Sequence, residues 1–152
     1  MTTPVAVRAA FVLWLVAVGA GLFETVVVVG TGGGGDGVVA GVVLRCVVFA
    51  AATVAALRMR AGRRWARVAL AVGLGVFGVL SLVIGPIEWL MGDNSLSAAV
   101  RHAGVAEWAF ASSRTVHVVA VLSAVVCMFR PGANAFFRKR TLSLDQVPAS
   151  RP

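Results

Sequence analysis

Residues 9–29, AAFVLWLVAVGAGLFETVVVV, form an apolar run that contains a single charged side chain, Glu24. A helix of this length, rising about 1.5 Å per residue, covers the roughly 30 Å hydrocarbon core of a bilayer. Three similar runs follow at residues 38–57, 68–87 and 108–129. The chain has 152 residues, of which 59% are hydrophobic and only 13% charged, so little remains for a soluble domain. The sequence predicts an all-α transmembrane four-helix bundle, up-down-up-down, over residues 1–130, with a basic, partly disordered tail at 131–152.

The basic residues indicate the orientation of these spans. With the N-terminus in the cytoplasm, eleven of the 14 Arg and Lys residues fall on the cytoplasmic side and one, Arg101, falls outside. The other two lie within spans. A bias of this kind in short loops is typical of the positive-inside rule. We therefore expect a multi-pass protein with both termini in the cytoplasm.

The glycine-rich segment at 30–37, GTGGGGDG, contains the G-x-G-x-x-G pattern of dinucleotide-binding turns. Such a site also needs an acidic residue about 20 positions further on, and none occurs near position 50. The segment is better interpreted as an external hairpin, and no cofactor is expected. The two His and two Cys residues have no metal-ligand spacing, and no catalytic set of residues is present, so we expect no enzyme.

Ionisable side chains within the spans are the candidate site. Glu24, Arg45 and Arg114 lie ~8, ~10 and ~9 Å from the external helix ends, and His117 follows one turn after Arg114. A charge at mid-helix costs roughly 2.5–3.5 kcal/mol on insertion scales, and intramembrane charges commonly mark functional sites. We expect these four side chains to form an internal polar cluster that is reached from outside, with Glu88 as a further member.

The role of this cluster stays open between four interpretations. The favoured one is structural: Arg–Glu pairs hold the helices in register in a non-enzymatic accessory or interaction protein. Without Glu88 the cluster is net cationic and suits an anion or an acidic lipid headgroup, whereas with Glu88 it is balanced and resembles a lock. The last interpretation uses Glu24 and His117 as proton acceptors in a small transporter.

Two basic segments flank the spans on the predicted cytoplasmic side. RMRAGRRWAR at 58–67 joins the second and third spans, and FFRKR at 136–140 follows the fourth. Basic residues at an anionic membrane surface contribute about 1 kcal/mol each, and ten residues are too few for a nucleic-acid recognition module. A second copy of the chain or another membrane protein is left open as a partner. The predicted contacts with anionic lipid are Arg63, Arg64, Trp65, Arg67, Arg138, Lys139 and Arg140.

The same segments carry a resemblance. AGRRWARVAL at 61–70 and FRPGANAFFRKR at 129–140 resemble the hairpin and the exit of small, largely uncharacterised four-span membrane proteins of high-GC Gram-positive bacteria. The resemblance implies the architecture and a bacterial plasma membrane only. Four spans with a glutamate in the first also resemble the pattern of small multidrug-resistance transporters. Two intramembrane arginines, however, would repel the cationic drugs that such transporters carry. The residues that match the first pattern are Gly62, Arg63, Trp65, Ala66, Arg67, Pro131, Asn134, Phe137 and Arg138.

Overall fold

A computed structural model describes residues 3–31, 37–92 and 95–145, and all secondary structure elements in these residues are helices. The first span is α1, Val5–Gly30, and the second is α2, Val38–Arg60. The third span, Arg64–Met91, consists of α3 (Arg64–Leu70), a π-helical segment (Ala71–Gly78) and α4 (Val79–Met91). A short helix α5, Leu96–His102, precedes the fourth span, α6 (Val105–Phe129), and α7 covers Pro131–Asp145.

Four of these helices are long and apolar enough to cross a membrane, which confirms the predicted all-α four-helix bundle. Each span is longer than the apolar run in the sequence. The first begins at Val5 and so includes Arg8, and the second continues through Arg58 to Arg60. The extra turns keep their backbone hydrogen bonds, and long basic side chains reach the polar interface from such positions.

The turn between the second and third spans depends on Gly62, whose φ of +84° is in the region that favours glycine. Its N–H donates to the carbonyl of Met59 at 2.8 Å, and the N–H of Arg63 donates to the carbonyl of Arg58 at 3.0 Å. This pair of bonds is a Schellman cap, which ends the second span and reverses the chain within three residues. We call the half of the bundle next to this turn the basic end, and the opposite half the loop end.

The hydrophobic core lies at the basic end. The first and fourth spans make the most extensive contact in the molecule, and alanines on both of them allow the close approach. The third span buries the smallest share of its residues. The buried members of the core are Val7, Ala10, Trp14, Ala17, Ala56, Met59, Ala66, Leu70, Ala120, Val121, Ala124, Met128, Ala133, Phe136 and Phe137.

Helix α7 is fastened to the start of the third span. The Nη2 of Arg67 donates to Oδ1 of Asn134 at 2.6 Å, and the guanidinium lies 4.1 Å from the centre of the Phe129 ring. Asn134 in turn donates from Nδ2 to the Phe129 carbonyl at 3.0 Å, while Nε of Arg64 donates to the Phe137 carbonyl at 3.2 Å. These contacts join the two sequence segments that carry the resemblance described above.

The fourth span ends where the sequence predicts. Arg130 is extended (φ −62°, ψ 151°), and Pro131 then begins α7, since a proline fits the first position of a helix. Helix α7 runs to Asp145, so residues 141–145 are helical although the sequence analysis expects the end of the tail to be disordered. No proline or glycine occurs between positions 133 and 147 to stop the helix. The rest of the tail, 146–152, lies outside the described residues.

Candidate functional site: a polar cavity at the loop end

A cavity of about 330 Å³ lies at the loop end, and all four spans contribute to its wall. Its polar lining includes Glu24, Arg45, Arg114 and His117, the four side chains that the sequence analysis places in one cluster. The π-helical segment of the third span reaches the same cavity. The remaining lining residues are Gly21, Leu44, Val48, Phe49, Leu74, Gly78, Ser81, Leu82 and Phe110.

Gly21 on the first span allows the second and fourth spans to meet at this cavity. A Cβ atom at position 21 would lie 2.6 Å from Cζ of Phe49 and 3.2 Å from Cε1 of His117, both too close for undisturbed packing. The absence of a side chain therefore lets a phenyl ring and an imidazole lie directly over the backbone of the first span.

Glu24 and His117 lie close together between the first and fourth spans. Nδ1 of His117 lies 3.5 Å from Oε1 of Glu24, and the two side chains are only 12% and 8% exposed. Neither of these atoms has a hydrogen-bond partner within the described part of the chain. The partner of Glu24 is thus a histidine, whereas the favoured interpretation of the sequence pairs it with an arginine.

Arg114 donates to a backbone carbonyl of the third span. Its Nε and Nη2 lie 2.9 and 2.5 Å from the carbonyl oxygen of Leu82. In an α-helix this carbonyl would accept the N–H of the residue four positions later, which here is Pro86 and has no N–H. Arg114 therefore supplies the hydrogen bond that the proline removes, as neighbouring helices often do for prolines in membranes.

Arg45 is the second arginine of the cavity, and the structure describes no hydrogen bond from it like the one that Arg114 makes to Leu82. The Arg45 side chain is exposed. In the described ranges no carboxylate oxygen lies within 4.0 Å of a guanidinium nitrogen of Arg45 or Arg114. Arg45 also lines a second cavity of about 230 Å³ between the first and second spans, which extends to Gly37 and Val38 at the loop end. The Arg45 side chain thus borders both cavities.

Glu88 is not among the residues that line the polar cavity. It is exposed, and α4, which carries it, buries none of its residues. The loop-end part of the third span has little contact with the rest of the bundle, so the Glu88 side chain stays outside the packed interior. Among the described residues, the ionisable groups that line the cavity are therefore one carboxylate, two guanidiniums and one imidazole, and Glu88 is not one of them.

The predicted lipid contacts divide into two groups at the basic end. Arg63, Trp65 and Arg138 are exposed, as a lipid contact requires. Arg64 is exposed as well, but it and the half-buried Arg67 donate hydrogen bonds to α7. The side chains of Lys139 and Arg140 lie outside the part of the chain whose side chains the structure describes.

The contact that sequence reasoning misses is the one to the Leu82 carbonyl. A signal for it is present, because any proline inside a span frees the carbonyl four residues before it. What the sequence lacks is the identity of the donor, since 32 residues separate Leu82 from Arg114.

Comparison with known proteins gives no match to the chain, whether with protein-family models, curated proteins or solved structures. The four apolar helices make it a small polytopic membrane protein.

Proposed function

We propose that this membrane protein is not an enzyme and that it binds an anionic group in the polar cavity. The group is the sulfate, phosphate or carboxylate of a small solute or of a lipid headgroup. The observation that carries the proposal is Arg45, an intramembrane guanidinium that lines the cavity with no carboxylate within 4.0 Å among the described residues. Keeping such a charge inside a membrane span is costly, so the lack of a counterion among the described residues supports a ligand.

The charge of the cavity supports an anion. With His117 neutral, the single negative charge of Glu24 opposes the two positive charges of Arg45 and Arg114, which leaves a net charge of +1. A guanidinium offers paired N–H groups that match two oxygens of a sulfate, phosphate or carboxylate. The volume of about 330 Å³ fits only a small ligand or a headgroup.

The direction of access follows from the orientation that the basic residues favour. With both termini in the cytoplasm of a bacterial plasma membrane, the loop end faces the outside of the cell. The anion then enters from the outer side, past Gly37 and Arg45, while the core at the basic end blocks the way to the cytoplasm. The exposed Arg63, Trp65 and Arg138 contact anionic lipid on the inner side.

A structural role is the second candidate, and the contact of Arg114 with Leu82 favours it. In that case Arg114 satisfies a backbone carbonyl of the third span, and the cluster holds the helices together. The protein then acts as an accessory to another membrane protein. This alternative assigns no ligand to Arg45, so Arg45 decides between the two.

The test is sulfate binding by isothermal titration calorimetry to the protein in nanodiscs of uncharged lipid. Arg45→Gln removes the charge and keeps part of the hydrogen-bonding capacity. We expect it to weaken sulfate binding by about 10- to 100-fold, the equivalent of roughly 1.5–3 kcal/mol for hydrogen bonds to a charged group. Arg101→Gln is the matched control, because Arg101 is exposed on α5 and does not line the cavity. Equal sulfate affinity of the Arg45 variant and the wild type would reject the proposal in favour of the structural role.

A second arm distinguishes a solute from a lipid headgroup. The same titration is repeated in nanodiscs that contain phosphatidylglycerol. The negative surface of the phosphatidylglycerol nanodisc repels sulfate and lowers the apparent affinity of wild type and Arg45→Gln by the same factor. If the headgroup occupies the cavity, the lipid lowers the wild-type affinity by a larger factor than that of Arg45→Gln. If the ligand is a solute, the two factors are equal.

A further inference from the structure

We propose that the polar cavity binds its anion together with one proton, which is taken up by the pair Glu24 and His117. This inference rests on the proposed anion site and adds the co-substrate of that site. The chemistry is simple addition: a proton from the aqueous phase at the loop end joins a nitrogen of His117 or a carboxylate oxygen of Glu24. No other bond is formed or broken, and the proton belongs to the pair rather than to either residue alone.

The geometry of the pair indicates a place prepared for a proton. Nδ1 of His117 and Oε1 of Glu24 are 3.5 Å apart, beyond the ordinary N–H···O length of about 2.7–3.2 Å. Both atoms are buried and lack a hydrogen-bond partner within the described residues. A buried polar atom of this kind is costly, and a small inward shift with a proton on the pair would satisfy both atoms at once as a charge-assisted hydrogen bond.

The surroundings of the pair make its charge matter to an anion. The second span presents Arg45 and the fourth presents Arg114, whereas the third span contributes Ser81 and no titratable side chain to the cavity wall. Without the extra proton the pair carries −1 and the cavity +1. With it the pair is neutral and the cavity carries +2. An anion therefore binds more tightly to the protonated cavity, and by reciprocity the anion favours proton uptake.

Imidazole is the side chain that ordinarily changes charge between about pH 5 and 8. The sign of the effect is fixed by the charges: sulfate affinity should fall as the pH rises and the pair loses its proton. We expect a total change of about 5- to 150-fold, the range that is typical of coupled sites. Sulfate is the probe because its own charge is constant over this range, so that any pH dependence belongs to the protein.

The experiment counts protons directly. Sulfate is titrated into the wild-type protein in nanodiscs of uncharged lipid, in buffers with different ionisation enthalpies. All buffers of one series have the same pH, and the series is repeated at several pH values. The slope of the observed heat against the buffer enthalpy gives the number of protons taken up per sulfate bound. We expect uptake of up to one proton, highest at the pH where the sulfate affinity changes most steeply.

The variants locate the proton. Glu24→Gln combined with His117→Asn removes both titrating groups, and the number of protons taken up per sulfate bound should fall to zero. Glu107→Gln is the matched control, since Glu107 is also at the loop end of the fourth span but bonds to the N–H of Gly104 and does not line the cavity. It should retain the wild-type proton uptake.

The outcomes separate this inference from the proposed function. Sulfate binding to the wild type without proton uptake would overturn the inference and leave the anion site intact, and this measurement needs no variant that might misfold. Persistent uptake in the Glu24/His117 double variant would overturn it as well. If sulfate binds at no pH in the range, the anion site and the proton linkage are both wrong.

Discussion

Arg114 shows how an intramembrane charge can serve the backbone of a different helix. Its two hydrogen bonds to the Leu82 carbonyl replace the one that Pro86 removes. We predict that Arg114→Met lowers the free energy of unfolding by about 1–3 kcal/mol, because it leaves the partly buried carbonyl of Leu82 without a donor. Adding Pro86→Ala should recover much of the loss, since alanine restores an N–H at position 86. Thermal and denaturant unfolding in detergent would measure both changes.

The complete double-mutant cycle is the control for this prediction, because Pro86→Ala alone also changes the preference of the chain for a helix. The two substitutions must be less destabilising together than the sum of their separate effects. A purely additive result would mean that Arg114 does not act through the Leu82 carbonyl. Arg101→Met, which removes an exposed arginine at the same end, should leave stability nearly unchanged.

Helix α7 is held by side chains of the helices beside it. Asn134 links Arg67 of the third span to the final carbonyl of the fourth, so one amide fastens three elements. We predict that Asn134→Ala lowers the free energy of unfolding by about 1–1.5 kcal/mol, the lower part of the range for hydrogen bonds, because Asn134 is exposed. The same unfolding measurements apply. Arg138→Ala, on an exposed position of the same helix, should change stability by no more than about 0.5 kcal/mol. Equal effects of the two substitutions would show that α7 is not fastened through Asn134.

The bundle has two unlike halves, a packed basic end and a cavity-bearing loop end, and the proposal requires the loop end to face outward. In a chain with Cys46 and Cys127 replaced by alanine, Ser97→Cys on α5 should react with a membrane-impermeant maleimide in intact cells. Ala135→Cys on α7 should react only after the cells are permeabilised. Both positions are exposed, so accessibility to the reagent reports the side of the membrane. The reverse labelling pattern would mean that the cavity opens to the cytoplasm.

The spans follow from the sequence because bilayer thickness sets a minimum length for an apolar run. Helix ends do not follow as well, since charged residues such as Arg8 and Arg60 lie within helices that the apolar runs alone do not reveal. The convergence of Glu24, Arg45, Arg114 and His117 was predictable from their similar depths in alternating spans.

Their pairing was not predictable, because depth says nothing of the direction in which a side chain leaves its helix. Glu24 meets His117 instead of an arginine, and Arg114 meets a carbonyl instead of a carboxylate. Glu88 has a plausible depth but belongs to a helix with little packing around it, and a sequence pattern does not show how tightly a span is packed.

The dependence of the third span on Arg114 has a consequence for how the protein is made. The third span is synthesised before the fourth. Its Leu82 carbonyl therefore has no donor until Arg114, 32 residues later in the sequence, has been added. In hydrocarbon such a group costs several kcal/mol, and the fourth span carries an arginine that is itself unfavourable there. The third span, with a mean hydropathy of 2.5, is apolar enough to integrate alone, whereas the fourth, with a mean hydropathy of 1.6, is a poorer candidate alone and a better one beside the third. The fourth span should therefore partition into the bilayer against the third, where Arg114 meets the free carbonyl of Leu82.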